Sequence, residues 1–321
     1  MALNKAMRSK MRLHYWNDRN FGDQLSCLLV ESISGREIVC SKMHAADLIA
    51  IGSLLHKGEK LCCTYREALT WFGVKQILKK ICYGHNLIHV WGSGFRGCPK
   101  RGKLFFRIGD FRFHCVRGEL TLQGLRAMGM LARGQEVALG DPGLLFPFLL
   151  KTLPQKRHEI GIVPHFEDVM WGRRLHEALL ARGINACCID VGCDNPLEVV
   201  EKIGSCKRIL SSSLHGLVTA DAFGIPNRHV RFSDLGQDRE DAMFKFKDYF
   251  SAVRRKYDPI MNGCRLLKEA GSYQEWIGDS DMVQENVLAN LQEGLVKSFP
   301  FERTPFWQGF VMPSIPMSGG N

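Results

Sequence analysis

Short apolar runs that end in glycine or small polar residues recur along this chain, each followed by a helical pattern. DLIAIGS (47–53), NLIHVWGSG (86–94), FRFHCVR (111–117), EIGIVPH (159–165) and KRILSSS (207–213) are the clearest. Such alternation builds βαβ units, because neighbouring parallel strands need a crossover connection and a helix supplies it. The expected class is therefore α/β with parallel sheets. In such sheets ligands gather outside the carboxyl ends of the strands, so residues at those ends become the candidates for function.

The remaining elements fit the same scheme. RLHYW (12–16) reads as a strand, followed by the loop NDRNFG and a helix from Asp23 to about Ser32. GELTLQGLRAMG reads as a helix, and VALGDPGLL (137–145) as a strand ending in a turn. KTLPQKRH (151–158) is polar and basic, a linker between two sets of units. In the second set a helix spans 167–182, INACCID (184–190) is a strand, and Asn195-Pro196 opens a helix that runs to Gly204. A helix from Leu214 stops at Phe223, before Gly224 and Pro226, and PNRHVRF (226–232) follows as an extended run. At 321 residues the chain exceeds one ordinary core. The expected division is an N-terminal domain over 1–153, a C-terminal domain over 154–265, C-terminal helices over 266–300 packing back on the first domain, and a tail over 301–321, poorly ordered in PFWQGFVMPSIPMSGGN (305–321).

Charge and cysteine usage narrow the partners. There are 43 Lys and Arg against 33 Asp and Glu, a formal net charge of +10, which suits acidic ligands, nucleic acid or an anionic membrane face. Basic runs such as KRGK and RRK lack interleaved aromatics, so nucleic acid is not the expected partner. The 12 cysteines form no CxxC pair and indicate a reducing compartment, with neither a disulfide framework nor a zinc site. The start, MALNKAMRSKMRLHYW, lacks the apolar core of a signal peptide, and LLFPFLL (144–150) is too short to span a bilayer. A cytoplasmic location is expected, with any contact at the anionic inner membrane peripheral.

Several strand ends carry chemistry. In SSSLHGLVTADAFGIP (211–226), His215 stands in the first turn of a helix behind Ser211, Ser212 and Ser213. Backbone N–H groups there lack intrahelical partners and attract anions; alternatively the serines only cap the helix and His215 is satisfied and half-buried. GSGFRG (92–97) matches G-x-G-x-x-G, but Pro99 and Gly102 follow where a dinucleotide site needs a helix, so NAD binding is not expected. Gly92 and Gly94 would then let backbone approach some other ligand, with Arg96 adding charge. Asp23, in NFGDQLS, either caps its helix or orients and deprotonates a hydroxyl. Arg117 is either an ordinary surface arginine or a bidentate clamp for carboxylate or phosphate, and His165 is a similar case. No HExxH, P-loop or GxSxG occurs, which leaves metal hydrolysis, kinase-like transfer and serine hydrolysis without support.

Taken in order, NFGDQLS, WGSGFRG, HCVRGELT, LGDPGLL, IGIVPHFED and SSSLHGLVTADAFGIP resemble the polysaccharide pyruvyl transferase family, over roughly residues 12–250. The nearest resemblance is to the ketal-pyruvate transferases of succinoglycan-type exopolysaccharide assembly. The resemblance implies a GT-B-like pair of Rossmann-like domains facing across a cleft, the first on the acceptor side and the second on the donor side. It implies transfer of a pyruvyl group from phosphoenolpyruvate to two hydroxyls of one sugar, forming a cyclic ketal on a lipid-linked oligosaccharide, with no further cofactor and no metal assigned. His215, Asp23 and Arg117 would be catalytic; Ser211, Ser212, Ser213, Gly92, Gly94, Arg96, His165, Lys245 and Lys247 would bind substrate. Family members often carry S-x-R-L-H, whereas Ser213 stands here in the arginine's place. Arg117, Arg96, Lys245 or Lys247 (the last two in FKFKDYF) would then supply that charge. Two other readings remain open: a sugar-nucleotide glycosyltransferase on the same scaffold, or a non-catalytic basic adaptor.

Overall fold

The chain forms twelve strands among the residues that the computed structural model describes, which are 9–16, 21–55, 62–64, 87–99, 104–107, 110–192, 194–232, 240–278 and 281–310. Six strands make the first sheet: β1 (Lys10–His14), β2 (Glu37–Cys40), β3 (Leu48–Ile49), β5 (Leu87–Ser93), β7 (Asp110–Val116) and β8 (Ala138–Leu139), in the order β2-β1-β3-β5-β7-β8. All its pairings are parallel. A separate antiparallel pair joins β4 (Cys62–Thr64) to β6 (Leu104–Arg107). The second sheet contains β9 (Ile160–Val163), β10 (Ala186–Cys188), β11 (Ile209–Ser211) and β12 (Asn227–His229), also parallel, in the order β10-β9-β11-β12. β9 is buried at every position, as expected of a strand covered on both faces. The α/β class with two parallel sheets is thus the observed one.

Both sheets reverse their strand order at the same relative place, between β1 and β3 and between β9 and β11. A crevice opens at such a switch point, outside the carboxyl ends of the two strands. The fold therefore offers two crevices.

Helices fill the space around and between the sheets. The main ones are α1 (Phe21–Ser34), α2 (Glu119–Ala127), α3 (Val169–Leu180), α4 (Pro196–Gly204), α5 (Leu214–Ala222), α6 (Glu240–Ala252) and α7 (Glu285–Ser298). α4 starts as its sequence indicates: Asn195 accepts the Leu197 N–H at 3.2 Å and Pro196 follows as the first helical residue. α5 is buried at all nine positions, so it is an interior helix rather than an amphipathic one. It lies against the 3-10 segment Pro142–Leu149, with Leu217 and Val218 in one apolar cluster with Leu144, Leu145 and Phe146. That cluster also holds residues of β1, α1 and α4, so one continuous core crosses from the first sheet to the second.

The C-terminal part binds the first sheet. α7 packs on β5, β7 and β8; Trp91 Nε1 donates to Leu295 O at 2.9 Å, and Gln292 donates to Leu144 O at 2.8 Å. The expectation of a poorly ordered stretch over 305–321 fails over 305–310. A short helix, α8 (Pro305–Gln308), follows there, and Trp307 is fully buried, donating to Ser32 Oγ at 3.0 Å. The physical reason is the end of α1, whose last carbonyls lack helical partners. Thr304 supplies them: its N–H donates to Ile33 O at 2.7 Å and its hydroxyl to Ser32 O at 3.1 Å. Residues 311–321 lie outside the described ones, as do 17–20 and 100–103.

Candidate functional site

The two switch points meet in one cavity of about 450 Å³. Trp16, just past β1, lies on its first-sheet side together with Arg96 from the turn after β5. His165 and Phe166, past β9, Ser212, past β11, and His229 to Phe232, at the end of β12, form the opposite wall. α6 contributes Met243, Lys245 and Phe246. The cavity therefore brings together Arg96, His165 and Ser212, expected from their places after strands, and Lys245, expected as a substitute for the missing arginine. Sequence reasoning misses Trp16, His229 and Arg231, for which the only sequence signal was their position just beyond an extended run.

Lys245 is the cation at the centre. It is half-buried, 5.1 Å from the Phe246 ring centroid, and has no hydrogen bond or ion pair among the described residues. Burial, followed by the neighbouring Arg117 and Arg96 charges, pushes its ammonium down to about 8, with Glu167 acting the other way. Its charge in turn depresses three histidines. His165 titrates below the usual imidazole range, mainly from burial and next from Lys245. Burial and Lys245 push His215 and His229 down to about 3. Lys247 is exposed, because two residues along a helix is about 200° around it, so it faces away from the cavity.

The triplet Ser211-Ser212-Ser213 divides its work. Ser212 Oγ lines the cavity and accepts the His165 N–H at 2.8 Å. Ser211 Oγ turns inward, 2.9 Å from Val163 O and 2.8 Å from Ser213 O, and accepts the Ser213 N–H at 3.0 Å. Ser213 is the N-cap of α5 but its side chain makes no capping bond, so the open start of α5 is not closed by a serine. Further along the same motif Asp221 anchors the helix, accepting from Asn227 Nδ2 and Tyr249 OH and pairing with Arg255.

His215 lies one turn beyond Ser212, 8% exposed and past the cavity lining. Its Nδ1 edge rests on Gly22 at the start of α1, where a Cβ would overlap the imidazole, and Phe21 meets the ring edge-on at 6.2 Å between centroids. On the other side Nε2 is 3.9 Å from Asp141 Oδ2. Asp23, beside Gly22, is buried near Gly52, the turn after β3. In the free protein His215 is neutral near pH 7, because burial, followed by the cations Lys245 and Arg117, opposes its charge.

Three sequence expectations are corrected here. Arg117 is fully buried and its guanidinium is engaged inside the protein, not in the cavity. Nε donates to Asp248 Oδ2 at 3.0 Å, Nη1 to Ser53 Oγ at 2.8 Å and Nη2 to Phe95 O at 2.6 Å. Asp248, from α6, also accepts from Thr121 N at 2.8 Å and Thr121 Oγ1 at 2.6 Å, so the arginine's fork is matched by a carboxylate from a distant helix. Gly92 and Gly94 are likewise explained by internal packing rather than a ligand. Gly92 has φ +83 and abuts Pro142; a Cβ at Gly94 would stand 2.6 Å from Arg117 Cζ. Among the described residues no group of three or more His, Cys, Asp or Glu is arranged to hold a metal, and no helix is long and apolar enough to cross a membrane.

Comparison with known proteins adds the following. A family model described as polysaccharide pyruvyl transferase matches residues 6–234. An uncharacterized protein of Acanthamoeba polyphaga mimivirus is 30% identical over 187 residues, 57% of this chain and 63% of that protein. The succinoglycan biosynthesis protein ExoV of Rhizobium meliloti is 24% identical over 259 residues, 78% of this chain and 67% of ExoV. The chain thus spans about two thirds of the length of these relatives. Among solved structures, the UDP-GlcNAc 2-epimerase of Methanocaldococcus jannaschii superposes with a TM-score of 0.40 at 9% identity, over 90% of this chain and 98% of that one.

Proposed function

This chain belongs to the polysaccharide pyruvyl transferase family, and on that premise we propose that it moves a pyruvyl group from phosphoenolpyruvate to two hydroxyls of one sugar in exopolysaccharide assembly. The observation that carries the reading is Lys245: a half-buried ammonium with no ion pair among the described residues, facing a cavity that Arg96 also lines. Such a pair asks for a ligand with more than one negative charge. Phosphoenolpyruvate brings a phosphate and a carboxylate. Lys245 takes the place of the arginine absent before Leu214-His215, reaching the same space from α6 instead of from the start of α5.

His215 acts as the acid and Asp23 receives the proton of the attacking hydroxyl. His215 gives its proton to the methylene carbon of the enol; the double-bond electrons form the new C–H bond and leave the neighbouring carbon electrophilic. One sugar hydroxyl adds there. Phosphate then departs with the electrons of its C–O bond, and the second hydroxyl closes the ketal, its proton returning to His215. The bound dianion offsets the Lys245 charge, so the imidazole gains a proton more readily in the complex than in the free protein. Arg117 serves by holding α6, and with it Lys245, against the turn after β5.

The acceptor is a lipid-linked oligosaccharide, presented at an anionic membrane face that a chain of net charge +10 approaches by electrostatics. The test is phosphate release on mixing the protein with phosphoenolpyruvate and such an acceptor, alongside thermal shifts with phosphoenolpyruvate and with nucleotide sugars. Stabilisation by phosphoenolpyruvate with phosphate release supports the transfer. Stabilisation by a nucleotide sugar alone replaces it with glycosyl transfer, and stabilisation by neither leaves a non-catalytic role.

A further inference from the structure

Two buried polar atoms without partners face each other across the junction of the two sheets. His215 Nε2 and Asp141 Oδ2 are both closed off from solvent, make no hydrogen bond, and lie 3.9 Å apart. They come from different halves. Asp141 follows β8 and starts the 3-10 segment, where its other oxygen, Oδ1, accepts the Gly143 N–H at 2.9 Å; His215 stands in the first turn of α5. Leaving even one such atom buried and unpaired is costly, and two aimed at each other describe a hydrogen bond waiting to form.

Resting on the pyruvyl-transfer reading, we propose that Asp141 is the positioning residue of His215: donor binding closes the junction, Nε2–H donates to Asp141 Oδ2, and Nδ1 is the nitrogen that delivers the proton. The movement required is small, roughly 1 Å to reach hydrogen-bond length. The geometry selects the nitrogen. Nε2 is sealed behind Asp141, whereas Nδ1 lies against Gly22 at the start of α1, where the missing side chain leaves the imidazole its room. A carboxylate behind the ring keeps the proton on Nε2 in the neutral form and stabilises the imidazolium when Nδ1 is protonated. When Nδ1–H breaks, its electron pair stays on the ring and the proton becomes the third hydrogen of the methyl group. Nε2–H remains donated to Asp141 throughout. The charged groups that reach the pair are Lys245 and Arg117, which oppose the imidazolium, and Asp248, which acts on Asp141. Asp141 is pushed up to about 6, chiefly by burial, and a cation forming at His215 draws it back to the charged form.

The closing experiment reads the tautomer directly and does not depend on turnover. Nitrogen-15 NMR of protein labelled at histidine, free and with phosphoenolpyruvate, should show His215 with a protonated Nε2 and, in the neutral state, a bare Nδ1. A neutral ring protonated at Nδ1 instead overturns the assignment, whatever the reaction proves to be. In parallel, Asp141→Asn keeps the Oδ1 acceptor for Gly143 and so keeps the turn. It should lower kcat for phosphate release about 100-fold, leave KM for phosphoenolpyruvate within twofold, and move the acid limb of the kcat profile. Unchanged kcat with an unmoved limb overturns the proposal. If the wild type releases no phosphate, the function reading fails by itself, and the tautomer result still decides the pairing.

Discussion

Gly22 and His215 touch across the two halves of the molecule: the imidazole fills the volume that any side chain at position 22 would need. The start of α1 and the start of α5 are thereby set face to face, and the ring orientation depends on a missing Cβ. Gly22→Ala should help α1 by helix propensity, by up to about 1 kcal/mol, while forcing His215 to swing away. A displacement of about 1 Å at a reacting group costs on the order of 100-fold in rate. Phosphate release should fall by that order with little change in melting temperature. Wild-type turnover in the alanine variant would remove His215 from the chemistry.

Arg117→Lys should act on stability first. The lysine keeps the charge but cannot bridge Asp248, Ser53 and Phe95 O at once, which leaves a buried carboxylate short of partners. Breaking such a pair typically costs about 3–5 kcal/mol. Denaturant midpoints should fall accordingly, and the double change Arg117→Met with Asp248→Leu should recover part of the loss. A stable Arg117→Lys protein with only a raised donor KM would return Arg117 to ligand binding.

If Lys245 is the donor's cation, donor binding should weaken at alkaline pH. Its ammonium, pushed down to about 8, is charged below that value and loses its charge above it. The apparent KM for phosphoenolpyruvate should therefore rise as pH passes from 7 to 9. Lys245→Arg should flatten that rise, since guanidinium stays charged. Identical profiles for the two proteins would exclude Lys245 as the donor's cation.

Acid should destabilise the fold before carboxylates titrate in bulk. His215 and His229 are pushed down to about 3 in the folded protein, while the unfolded chain protonates near 6.5. Stability is intact above pH 6.5 and is lost as pH falls toward 3, because the unfolded state takes up protons that the fold refuses, at about 1.4 kcal/mol per unit and site. Asp141, raised to about 6, works in the opposite direction between 6 and 4 and offsets part of this. Melting temperature should drop steadily from pH 6.5 to 4.5, and His229→Phe, stacking on Phe246 in place of the imidazole, should lessen the slope. A flat profile over that range would show that water reaches these rings.

Membrane association, if it rests on the +10 charge, should be salt-sensitive. Sedimentation with vesicles containing anionic lipid should fall steeply between 50 and 300 mM salt, on the order expected as the Debye length shortens. Trp307 does not offer an alternative anchor, because it is buried against Ser32, although Phe306 beside it is 61% exposed. Binding that resists salt would point to that exposed ring.

The residues alone determined the layered class and where the candidate site lies. β5, β9 and β11 are legible because a strand buried in a parallel sheet is apolar over its own length, and the small residues ending it mark where a crevice opens. His165, Ser212 and His215 follow from that local rule. β2 (Glu37–Cys40) does not, since it is an exposed edge strand defined only by its pairing with β1. The direction of Arg117's fork was equally hidden: whether it meets a ligand or a carboxylate depends on where α6 sets Asp248, 131 residues away. Trp307 became core only because the end of α1 offered it a hydroxyl and Thr304 two carbonyls. Asp141 reads locally as a turn cap, and only the packing of α5 against its segment turns the second oxygen toward His215. Periodicity along a chain records which faces are buried; which partner a polar group meets there is decided by contacts between segments far apart in sequence, and only the assembled core brings them together.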